Sequence, residues 1–108
     1  MRLINEIIVH CTGTEAGKDI RAKNIKEYHV NVKGWRNIGY HYVVDLDGTV
    51  EAGRPISQPG AHCPGHNAHS IGVAYVGGLK DGKPADTRTP AQKATLLKLI
   101  TKLITVYR

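Results

Sequence analysis

Apolar positions along this chain fall into two rhythms. The β-branched run Ile7-Ile8-Val9 within Glu6–His10 has the length and composition of a buried strand. Ile25, Tyr28, His29 and Val32 then recur at the i, i+3, i+4, i+7 spacing of a helix face. Asp19 stands ahead of that helix as its expected cap, and Gly34 beyond it as its stop. A hairpin follows, with Tyr40–Asp45 as one strand, Asp47-Gly48 as the turn and Thr49–Ala52 as the return. Gly53 to His69 is rich in Gly, Pro, His, Ser and Asn and reads as a long loop, a length that usually marks function or disorder. Ser70–Val76 is a second apolar strand closed by Gly77-Gly78, and Lys80 to Arg88 is turn-rich.

The firmest element comes last. Thr89-Pro90-Ala91-Gln92 combines an N-cap, a proline at the first helical position and a Gln three residues after the cap. Leu96, Leu99, Ile100, Leu103, Ile104 and Tyr107 continue its apolar face. No Gly, Asn or Pro ends that pattern, which is still running at Arg108, so the reading expects a domain lacking its last strand and loop. The alternation predicts one α/β domain over residues 1–108, a mixed central β-sheet flanked by α-helices.

Composition narrows the picture only slightly. An apolar share of 41% and a charged share of 22% are those of an ordinary globular domain. No apolar run is long enough to cross a membrane, and Met1–Asn5 holds no signal-peptide core. The expectation is synthesis in the cytoplasm, with any export by another route. Two cysteines, Cys11 and Cys63, are too few for a disulfide framework and read as free thiols. The net charge of +6 favours anionic surroundings, but the basic residues are scattered and form no run of five. Neither a basic helix nor an aromatic stacking platform points to nucleic acid.

Histidine changes the picture more. Six occur, and all but His29 lie at strand ends or in the long loop. His10 stands where a strand leaves the core; such a lone histidine is either structural or a metal ligand. His62, Cys63, His66 and His69 crowd the loop at a spacing that matches no common zinc module.

Several pieces, in order, resemble the type 2 N-acetylmuramoyl-L-alanine amidase family, the fold of small phage amidases and peptidoglycan recognition proteins. They are Ile8-Val9-His10-Cys11-Thr12, Gly34-Trp35 with Ile38-Gly39-Tyr40-His41, and the hairpin Asp47-Gly48-Thr49-Val50 with Gly53-Arg54. Gly60-Ala61-His62, Gly65, Asn67, Ser70-Ile71-Gly72-Val73 and Thr89-Pro90-Ala91-Gln92 follow in the family's order. The resemblance implies a zinc hydrolase that cuts the amide between N-acetylmuramic acid and L-alanine of peptidoglycan. It makes His10 the first zinc ligand and Tyr40 a hydrogen-bond donor to the developing oxyanion. His41, His62 and Asn67 would meet the muropeptide, while His29 and Trp35 pack.

Two departures follow from the same resemblance. The family's second and third zinc ligands come after its last helix, and Ala74 stands where other members carry a catalytic glutamate. A catalytic zinc uses three protein ligands. The site in this chain is therefore expected to be incomplete, unless loop residues such as Cys63 or His66 rebuild it. The alternative reading is an inactive domain that binds peptidoglycan fragments or a protein partner.

Overall fold

The computed structural model describes residues 2–107. Strand β1 (Glu6–Cys11) is followed by the short β2 (Thr14–Glu15), helix α1 (Ala22–Asn31), β3 (Tyr42–Val44) and β4 (Val50–Ala52). A single 3₁₀ turn (Asn67–His69) leads into β5 (Ser70–Tyr75), then β6 (Gly78–Lys80), β7 (Lys83–Pro84) and α2 (Pro90–Val106). The main sheet has the order β1-β5-β3-β4. Its first three strands are parallel, and the β3–β4 hairpin is antiparallel. The expected mixed sheet with flanking helices is what the chain forms. The three-stranded sheet β2-β6-β7 lies within and beside segments read from sequence as turns; its strands are too short to show alternation.

Each helix covers one face, and adjacent β3 residues part accordingly. Val43 packs with Ala22, Ile25, Ile38 and Val76 on the α1 side. Val44 packs with Ile71, Val73, Leu96 and Leu103 on the α2 side. Register then decides what His10 faces. It pairs with Ala74, two residues along from Gly72, so the α1 face of the central strands is paved with small residues where His10 stands.

The start of α1 corrects the expected cap. Arg21, not Asp19, is the N-cap residue, and its N–H donates to Asn24 Oδ1 at 2.9 Å. Asp19 instead pairs with the Arg21 guanidinium at 3.0 Å. The first helical N–H, of Ala22, donates to Glu51 Oε1 from β4 at 3.0 Å, so a carboxylate on the sheet caps the helix. The buried stripe is Ala22, Ile25 and His29, so two of the four expected positions face the core; Tyr28 on the helix flank and Val32, its C-cap, are exposed.

At α2 the cap works as expected: Thr89 Oγ1 accepts from Gln92 N–H at 3.0 Å and Gln92 Oε1 from Thr89 N–H at 2.9 Å. Gln92 also reaches into the sheet, where its Nε2 donates to Val44 O (3.3 Å) and Val76 O (2.9 Å). That fully buried clamp fixes the helix to the ends of β3 and β5. No helix among the described residues is long and apolar enough to cross a membrane.

Candidate active site

The sheet brings His10, Tyr40 and His62 together. The ring centroids of His10 and Tyr40 are 5.7 Å apart, and those of His10 and His62 4.9 Å. His10 Nε2 lies 2.8 Å from His62 Nδ1, and His62 Nε2 lies 3.2 Å from Ser70 Oγ. All three rings are half-buried.

Glycines let the parts approach. A Cβ on Gly72 would come within 2.5–2.8 Å of three atoms of the His62 ring, so that imidazole lies directly on the β5 backbone. A Cβ on Gly60 would meet the same ring at 2.6 Å. The loop carrying His62 is tied down by Ala61 N–H donating to Gly39 O (3.0 Å) and by Arg54, which donates to Ile38 O (3.0 Å) and Pro59 O (2.8 Å). Asn67 Oδ1 accepts the N–H groups of His62 (3.1 Å) and Cys63 (3.0 Å), so its carboxamide oxygen shapes the loop from within.

Two other histidines support this surface. His29 Nδ1 accepts from Gly39 N–H at 2.9 Å, and its ring packs on Trp35 (4.5 Å) and Tyr40 (5.6 Å), holding the tyrosine from behind. The structure corrects the expectation for His41 as a substrate contact. Its ring is 1% exposed, Nδ1 accepts from Gly72 N–H (3.0 Å), and Nε2 is left to donate to Gln58 O (2.8 Å). His41 is a buried strut beneath His62, their centroids 5.9 Å apart. The Arg2 guanidinium stands 3.1 Å from the same Nε2, an approach of two donors, and makes its hydrogen bond to Ile56 O at 2.8 Å.

Burial sets the protonation states. Desolvation lowers the pKa of His10 below its ordinary value. His62 is pushed down to about 4, by burial first and then by the charges His10, His41, Arg2 and Arg54 would bring. Burial raises Tyr40, with a smaller contribution from Cys11. Near neutral pH the surface therefore presents neutral imidazoles, which accept as well as donate, beside a protonated phenol able to donate.

Metal capacity is a separate matter. Among the described residues no group of three His, Cys, Asp or Glu is placed to hold a metal ion. His66 turns away to Glu6 (3.2 Å) and His69 to Leu3 O (3.0 Å), so neither joins His10 and His62. The loop residues do not rebuild a three-ligand site. Ser70 and Gly72 stand in the sequence only as part of an apolar strand; their contacts with His62 come from the loop folding back over β5, which no local signal shows.

Similarity to known proteins identifies the family. The family model described as N-acetylmuramoyl-L-alanine amidase matches residues 1–108. The endolysin of Klebsiella phage KP32 is 40% identical over 104 residues, covering 95% of this chain and 68% of its own length. The solved N-acetylmuramoyl-L-alanine amidase LysC of Clostridium intestinale superposes with a TM-score of 0.84 at 33% identity, over 98% of this chain and 66% of that one. An ectodomain complex of peptidoglycan recognition proteins LCa and LCx, solved with tracheal cytotoxin bound, matches with a TM-score of 0.76 at 28% identity, over 96% of this chain and 63% of that one. The chain thus spans about two thirds of the length of these relatives. By the family model that matches its whole length and the phage endolysin 40% identical to it, this chain belongs to the N-acetylmuramoyl-L-alanine amidase family.

Proposed function

We propose that this chain carries part of the catalytic surface of a peptidoglycan amidase, which hydrolyses the amide joining N-acetylmuramic acid to L-alanine. The observation that carries the reading is the placement of His10 beside Tyr40 at 5.7 Å in a chain of this family. Tyr40 is held from behind by His29, and burial keeps its phenol protonated. It donates to the amide oxygen as negative charge gathers there, the role with the largest effect in reactions of this kind. His62 and Asn67 form the wall against which the sugar or stem rests.

Zinc is the family's expected cofactor, and His10 is its first ligand by resemblance. A catalytic zinc supplies a nucleophilic water at neutral pH and polarises the carbonyl. The residues described here do not fit such a centre by themselves, because three protein ligands are needed and no such group is assembled.

That no three-ligand group is assembled among the described residues favours a second reading, a domain that binds muropeptides without cleaving them. One experiment separates the two. The 108-residue chain and a chimera joining it to the part of the Klebsiella phage endolysin outside the match are incubated with purified walls, and release of free amino groups is measured. The chimera is expected to release them, and Tyr40→Phe in it to be slower by about 10²-fold with its metal content unchanged. A folded but inactive chimera that still binds muropeptide would establish the second reading, and full activity of Tyr40→Phe would remove that residue from the chemistry.

A further inference from the structure

The loop over residues 53–69 holds a single 3₁₀ turn and no other regular element, so most of its carbonyls need partners from elsewhere. Side chains supply several of them. His41 takes Gln58 O and Arg54 takes Pro59 O. Arg2, ahead of β1, takes carbonyls near both ends of the loop. Its Nε donates to Ile56 O at 2.8 Å, and one terminal nitrogen donates to Asn67 O (3.4 Å) and Ala68 O (3.3 Å). The guanidinium makes no ion pair among the described residues, so these carbonyls are what its charge meets. Its other terminal nitrogen stands 3.1 Å from His41 Nε2, a donor facing a donor. A cation kept in that place is held by its carbonyl bonds, against a local repulsion. The main chain runs along the same line, since Asn5 N–H donates to His69 O at 2.9 Å.

We propose that Arg2 is a positioning residue for the site: its guanidinium ties the two ends of the His62 loop together and so holds that loop as a fixed wall beside His10 and Tyr40. The grip passes inward through Asn67. Arg2 holds the main-chain carbonyl of Asn67, whose side-chain Oδ1 accepts the N–H groups of His62 and Cys63. A planar fork suits this task, because its N–H donors spread over one plane and reach separate carbonyls at once. A lysine ammonium presents a point charge on a flexible stem. That the loop meets the muropeptide rests on the amidase reading; that Arg2 orders it does not.

Nitrogen-15 relaxation of the 108-residue chain is the test. It reads order within the folded state, which a residue that only added stability would leave unchanged. The wild-type amides of His62, Cys63 and Asn67 are expected at order parameters of about 0.85, the rigid range. In Arg2→Ala they are expected to fall below about 0.6, while Val73 and Val76 stay rigid. Arg2→Lys, with the charge but no fork, is expected to lose the order too. With N-acetylmuramoyl-L-alanyl-D-isoglutamine as the probe, calorimetry should show about tenfold weaker binding by Arg2→Ala, as for a wall in place about a tenth of the time. A folded Arg2→Ala with a rigid loop would overturn the proposal. So would wild-type order in Arg2→Lys, since charge alone would then suffice. Loss of order with the same affinity in both proteins, or with none in either, would show that the loop is no wall for the ligand and would also overturn it. None of these results depends on turnover, so the amidase reading stands or falls separately in the wall-release assay.

Discussion

Helix α1 lies between two polar clusters that the same physics treats in opposite ways. At its N-terminus Asp45 is completely buried, paired with Arg21 at 2.9 Å, and its Oδ1 has no hydrogen-bond partner among the described residues. Burial, and after it the neighbouring Glu51, raise Asp45 to about 6. At the C-terminus His29 leads into the His10–Tyr40–His62 surface, where burial lowers every one of those imidazoles. Desolvation disfavours charge at both ends. It makes the acid hard to ionise and the bases hard to protonate, so one helix is anchored at both ends by groups that prefer neutrality. The difference lies in packing: the His62 ring sits on bare glycine backbone, whereas the carboxylate depends on charged neighbours.

The largest expected effect breaks the histidine end. In Gly72→Ala the new methyl would press on the His62 ring at 2.5–2.8 Å, with backbone beneath it and His41 alongside. Overpacking of this kind costs about 1–3 kcal/mol. The urea midpoint should fall accordingly, and the His62 ring signals should move. A Gly72→Ala protein with wild-type stability would mean that the ring is not seated on this strand.

A smaller effect compares the two ends directly. Asp45 has a folded pKa of about 6 against an ordinary 3.8, so its contribution to stability is full below about 3.8 and is lost as pH rises through about 6. His62 runs the other way: with about 4 against 6.5, its contribution is present above 6.5 and lost as pH falls toward 4. Between these limits the two clusters oppose each other. Asp45→Asn removes one side, so the drop in urea midpoint from pH 7 to pH 5 should be larger in the variant than in the wild type. Equal drops would show that Asp45 does not titrate in that range.

The contrast also marks what sequence could reveal. β1, β5 and α2 were legible because Ile7-Ile8-Val9, Ser70–Val76 and the Thr89 capping box are strong local signals. His10 and Tyr40 were legible as a pair only through the ordered family segments, since 30 residues separate them and nothing local links them. The acid cluster was not legible at all. Asp45 and Glu51 read as hairpin residues, and nothing in the sequence singles out Arg21; only the docking of α1 on the β3–β4 hairpin makes them a unit. His41 was misread for a related reason. A histidine beside a candidate catalytic tyrosine invites a role at the surface, but residues adjacent along an extended chain point to opposite sides, and this one points inward.

The smallest expected effect sharpens the comparison, at Glu51. Its Oε1 accepts the Ala22 N–H at the head of α1, and its carboxylate stands next in order after burial in raising Asp45. Glu51→Gln keeps an oxygen for the cap and removes the charge. The helix loses only the attraction between a carboxylate and its N-terminal dipole, about 0.3–1 kcal/mol. Asp45, meanwhile, gains from the loss of a like charge and from an amide able to donate to its carboxylate. Its titration, followed by carbon-13 NMR of the carboxyl groups, should move down from about 6 toward 3.8. Because the two effects on stability oppose each other at neutral pH, the urea midpoint should shift little while the titration shifts clearly. If Asp45 still titrates near 6 in Glu51→Gln, burial alone sets its state, and the acid end of α1 would obey the same single cause as the histidine end.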